Sequence, residues 1–189
     1  MEQKIRDIKI EYYCSILDEV ALFLSKNKAW YPIQRDFELN SQKLKAYCTQ
    51  PYNWKYMGKG FIEDSKTESF YTNDEGFIMA TVWSLRGLRF IQLISEELNG
   101  REDKKLDDIP SKCYEKTLKN HHGVITRTIS SSILKLVSIN DLPAWKVFKF
   151  DTRLDSSIYI QALYKKLSEV INSITIFLKY HNIDENLLK

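Results

Sequence analysis

Apolar residues in this chain recur at intervals of three and four rather than two, and six glycines with four prolines leave few places where that pattern must stop. The periodicity favours an all-α fold. With 43% apolar and 28% charged residues, 189 residues suffice for one well-buried core, so a single domain over residues 1–189 is expected. There is no internal repeat and no low-complexity tract.

A first helix is predicted over residues 5–25, with Ile5, Ile8, Tyr12, Ile16, Val20, Phe23 and Leu24 on its inner side. Pro32 opens a second over residues 33–48, because proline is tolerated in a first turn. Residues 51–75 mix aromatics, glycines and charges without a clear period and predict loop with a short helix. Residues 76–98 form a third long helix with Trp83, Gly87, Phe90, Ile91, Ile94 and Leu98 along one stripe. The charged run NGREDKKLDD ends it as a solvated loop. Pro110 precedes a helical stretch interrupted at Gly123, where a kink or close packing is expected, and ending before Pro143. Residues 153–181 read as the last helix, with Ile160, Leu163, Leu167, Ile171, Ile174 and Leu178 inward.

The opening MEQKIRDIKIEYYCSILDEV scatters charges through any apolar core, and no run approaches the roughly 20 residues of a spanning helix, so a soluble intracellular chain is expected. Cys14, Cys48 and Cys113 lie far apart without C-x-x-C spacing, which predicts reduced, mostly buried thiols. A net charge of +3, spread along the chain, argues against a nucleic-acid binder and mildly for contact with anionic membrane surfaces.

Asp36, Asn40 and Lys43 fall at i, i+4 and i+7 of the second predicted helix, so an acceptor, an amide and a cation share one face. Taken alone, such a triad is an ordinary solvated face with a weak Asp–Lys pair. Trp83 lies on an apolar stripe, where a tryptophan is ordinarily core. The two together fit a sugar, whose C–H face packs on an aromatic ring while its hydroxyls take charge-assisted hydrogen bonds. His122 stands in HHG with neither H-x-x-x-H nor H-E-x-x-H spacing, so no metal is expected. There is no G-x-S-x-G elbow, and Cys48 and Cys113 carry no local mark of activation.

Three segments, in order, resemble the glycolipid transfer protein family. PIQRDFELNSQKL resembles its first headgroup-recognition motif, WSLRGLRFIQ the helix bearing its sugar-stacking tryptophan, and KNHHGVI the string whose histidine binds the ceramide amide. CYEKTL before the histidine also matches, and the likeness runs from about residue 12 onward, weakest at 51–75 and 138–156.

The resemblance implies a two-layer helical sandwich of about eight helices and a carrier of one glycosphingolipid that does no chemistry on it. Asp36 is then expected to accept from the ceramide N–H and a sugar hydroxyl, Asn40 and Lys43 to hold further hydroxyls, Trp83 to stack on the sugar, and His122 to donate to the amide carbonyl. Ile33, Phe90 and Leu118 are the implied lining of a hydrocarbon tunnel. No cofactor is expected, and the implied setting is cytoplasmic with transient, peripheral membrane contact; no protein partner is assigned. Relatives that carry ceramide-1-phosphate replace the Asn and Trp by basic residues, so Asn40 and Trp83 indicate sugar, although Arg86 and Arg89 flank them. Two positions depart from the family: Val124 replaces the membrane-inserting Trp, and Leu187 a C-terminal Tyr near the sugar-stacking ring. Trp145 with Phe148 and Phe150, or Tyr114, are the expected substitutes at the membrane. A glycolipid sensor or adaptor, and a ceramide-1-phosphate carrier, are the competing readings. A glycosidase needs a second carboxylate facing the sugar, and only Asp36 is so placed.

Overall fold

The architecture is organised around one helix too apolar to face water. The structure, a computed structural model, describes residues 7–67, 75–101, 105–106, 108–138 and 142–180. In it α1 (Ile10–Ser25), α2 (Tyr31–Ala46), α3 (Met57–Asp64), α4 (Phe77–Leu98), α5 (Ile109–Thr117), α6 (Val124–Ser138), α7 (Ala144–Val147) and α8 (Arg153–Tyr180) form a two-layer helical sandwich. Among the described residues there is no strand, only isolated bridges between Lys9 and Tyr56 and between Lys105 and Pro143.

Helix α4 packs on α2, α3, α5 and α8. It comes nearer to a spanning segment than its charges led one to expect, since its length and hydropathy alone would let it cross a membrane. However, 83% of its most apolar window is buried inside the fold, so other helices take the place of lipid. Tyr13 on α1 reaches it through a buried 2.9 Å hydrogen bond with Ser84. Helices α1 and α2 are joined through Asp18, which accepts from Ser41 at 2.7 Å and pairs with Lys45 at 2.6 Å. Helix α8 presents the expected residues, Ile160, Leu163, Leu167, Ile171, Ile174 and Leu178, all buried.

Several expectations are corrected. Tyr12, expected on the inner side of the first helix, is 49% exposed, and its neighbour Tyr13 is buried instead. A wide apolar face admits either residue, and the hydrogen bond to Ser84 selects Tyr13. Helix α2 ends at Ala46, so Cys48 lies in the following turn. The interruption at Gly123 is a full break: α5 ends at Thr117, a 3-10 turn follows over Lys119–His121, and His122 is extended. A Cβ at Gly123 would meet nothing within 4 Å, so close packing is not the reason for the glycine. Ile5, His181 and Leu187 lie outside the described residues.

Candidate functional site

Helix α2 supplies one wall of the site. Pro32 sits in its first turn, and Phe37, one residue beyond Asp36, is buried against Gly87 of α4. A Cβ on Gly87 would come within 2.9 Å of the Phe37 ring, so the glycine is what lets α2 and α4 approach here. The approach brings the polar face of α2 and Trp83 of α4 to a common pocket. Asn40 is buried, and its Nδ2 donates to the Asp36 carbonyl at 3.0 Å, which fixes the amide. Lys43 Nζ stands 3.0 Å from the carboxylate of Glu75.

Asp36 is exposed to the pocket, and the protein around its carboxyl removes enough water to raise it above its ordinary 3.8, with the Lys43 charge and the Asn40 hydrogen bond opposing. A carboxyl raised on folding favours the folded state only when protonated, so this stabilisation is full below 3.8 and vanishes as pH rises through the raised value. Asp36→Asn is therefore expected to melt at or above wild type at neutral pH, with the difference shrinking or reversing in acid. Paired melting curves at pH 7 and pH 3.5 check this, and a variant less stable at pH 7 would contradict it.

Opposite α2 lies a stack of rings. The Trp83 and His122 rings are 5.7 Å apart at 28°, and the Arg86 guanidinium lies 4.7 Å from the Trp83 centroid. Arg86 is buried, its Nε has no partner among the described residues, and desolvation pulls its pKa down to about 10, which leaves it cationic at neutral pH. On His122, burial first and then the charges of Arg86 and Arg127 lower the pKa and favour the neutral ring. His122 Nδ1 is 3.0 Å from the hydroxyl of Tyr114, which is itself buried.

Asp36, Asn40, Lys43, Trp83 and His122 thus line one pocket of about 600 Å³, together with Ile33, Phe90 and Leu118. Its lining mixes these polar groups with aliphatic and aromatic side chains. The α6 wall, where Thr126, Ile129, Ser130 and Ile133 face the pocket, has no mark in the sequence, because these residues read as an ordinary amphipathic surface. Arg86, which the sequence places only as a flanking residue, lies over the Trp83 ring.

Two membrane candidates are corrected. Tyr114 is 4% exposed, held inward by His122, and Phe148 is 1% exposed, stacked on Phe23 and Trp30. Phe150, half-buried, packs on Phe23 and Tyr159 beneath Lys26, and Trp145, also half-buried, lies on α7 with Lys146 beside its ring. All three thiols are free; Cys14 and Cys113 are buried, which pushes them up to about 12 and about 11, far from the reactive range.

A two-layer helical sandwich with a mixed polar and apolar pocket of this kind is the GLTP fold. Mouse ceramide-1-phosphate transfer protein in its apo form superposes with a TM-score of 0.78 at 14% identity, over 94% of this chain and 90% of that one. HET-C2, a fungal glycolipid transfer protein, gives 0.76 at 18% identity over 95% and 89%. The glycosphingolipid-selecting GLTP-fold of FAPP2 gives 0.75 at 19% identity over 98% and 90%. The chain belongs to the glycolipid transfer protein (GLTP) family, whose model matches residues 8–141. The zebrafish (Danio rerio) glycolipid transfer protein is 29% identical over 109 residues, 54% of this chain and 52% of that protein. Human pleckstrin homology domain-containing family A member 8 is 24% identical over 150 residues, 72% of this chain and 28% of the relative. The chain therefore aligns with about half or less of these relatives' length.

Proposed function

We propose that this chain binds one glycosphingolipid and carries it between membranes without altering it. The observation that carries the reading is the convergence of Asp36, Asn40, Lys43, Trp83 and His122 on one pocket that is also lined by Ile33, Phe37, Phe90, Leu118, Ile133 and Leu134. Asp36 accepts from the ceramide N–H and a sugar hydroxyl, Asn40 and Lys43 hold other hydroxyls, Trp83 stacks on the sugar, and His122 donates to the amide carbonyl. Glycerolipids lack that amide and leave these groups unmatched, at about 1–3 kcal/mol for each buried group. Ile33, Phe90 and Leu118 receive hydrocarbon, each buried CH₂ contributing roughly 0.8 kcal/mol. The single-domain reading, a cytoplasmic setting and peripheral membrane contact belong to the same proposal. Val124, 78% exposed, and Tyr31, 59% exposed, adjoin the pocket residues Gly123 and Pro32 and are better placed to meet a bilayer than Tyr114.

A ceramide-1-phosphate carrier is the second reading. Arg86 favours it, a buried guanidinium beside the site whose Nε has no protein partner among the described residues. Intrinsic tryptophan emission, titrated with vesicles containing galactosylceramide, ceramide-1-phosphate or phosphatidylcholine, separates the two. A saturable change with galactosylceramide alone supports the sugar reading. A change with the phosphate lipid alone transfers the assignment to the second.

A further inference from the structure

A histidine that donates to a ligand carbonyl must carry its proton on the nitrogen facing the ligand. A neutral imidazole has one N–H, and the partner of the other nitrogen decides which one it is. At His122 that partner is the Tyr114 hydroxyl, 3.0 Å from Nδ1. Tyr114 is 4% exposed, and its hydroxyl makes no other hydrogen bond among the described residues. A buried phenol has one proton to place, and the acceptor in reach is Nδ1. Were Nδ1 protonated instead, two hydrogens would face each other, or the phenol proton would have to turn away from its protein acceptor toward the pocket that Tyr114 lines. The ring is also held in plane, since Trp83 lies 5.7 Å away on one side and Tyr114 5.6 Å away on another.

We propose that Tyr114 is a positioning residue that locks His122 in its Nε2–H tautomer, so that the ring offers the pocket a donor and not a lone pair. As far as the acceptor is a ceramide amide carbonyl, this rests on the glycosphingolipid reading; the tautomer itself does not. Tyr114 lines the same pocket, but its hydroxyl is committed to His122, so it acts through that ring from inside the fold and not at the membrane.

The test begins with long-range proton–nitrogen NMR of the lipid-free protein, with the His122 ring assigned by the signals lost in His122→Gln. The expected spectrum has Nε2 protonated and Nδ1 bare in wild type, and a mixture of tautomers in Tyr114→Phe. Galactosylceramide should bind Tyr114→Phe roughly two- to tenfold more weakly, as for loss of one oriented hydrogen bond. Galactosylsphingosine has no acyl carbonyl and should bind both proteins alike. An Nδ1–H ring in wild type, or an unchanged tautomer in Tyr114→Phe, would overturn the proposal. Equal losses for the two lipids would do so too, by making Tyr114 only part of the wall. If the variant does not fold, the wild-type spectrum still decides. If wild type binds neither lipid, the glycosphingolipid reading fails while the tautomer result is unaffected.

Discussion

Asp36→Val is expected to lower galactosylceramide binding by at least about 100-fold while leaving the melting temperature unchanged or raised. The size follows from two charge-assisted hydrogen bonds to the ligand, each worth about 1.5–3 kcal/mol. The unchanged stability follows because desolvation raises the carboxyl in the folded protein, and its removal relieves that penalty at neutral pH. Asn40 survives the substitution because its amide is anchored on the Asp36 backbone carbonyl, which every residue at that position retains. Binding titration beside thermal melting reads both quantities. Full binding by a folded variant would remove Asp36 from the site, and collapse of the fold would make it a structural residue.

Trp83→Ala is the second large effect, on the order of tenfold for the sugar lipid, through loss of the stacking face and its buried area. Its size differs between lipids because of what stands behind the ring. The Arg86 guanidinium lies 4.7 Å from the Trp83 centroid, and removing the ring uncovers a buried cation. Galactosylceramide should therefore weaken, while ceramide-1-phosphate weakens less or gains. The ratio of the two affinities, measured in the same vesicles, is the quantity to follow. Parallel loss for both lipids would return Trp83 to the role of a core tryptophan.

Much of the fold was legible because its long helices bury wide stripes that repeat at three and four. The inner residues of α8 and the boundaries of α4 are where that period puts them. The helical triad was legible for the same reason, since i, i+4 and i+7 on one helix settle a shared face before any tertiary contact is known. What escaped depends on partners distant in sequence or across a break. Tyr114 looks like an interfacial aromatic until the chain turns over Lys119–His121 and brings His122 back onto its hydroxyl. Tyr12 and Tyr13 are adjacent and equally apolar, and only Ser84, on another helix, separates them. Thr126 and Ser130 face the pocket from a helix whose polar residues carry no sign of which neighbour they meet.

Binding alone is common to a carrier and a glycolipid sensor, so the central claim is tested by transfer itself. The purified protein is mixed with donor vesicles holding labelled galactosylceramide and unlabelled acceptors, with ceramide-1-phosphate and phosphatidylcholine run in parallel. Catalytic amounts of protein should move the sugar lipid at a rate proportional to protein and leave phosphatidylcholine in place. Tight binding without movement, or movement of the phosphate lipid in preference to the sugar lipid, would contradict the account.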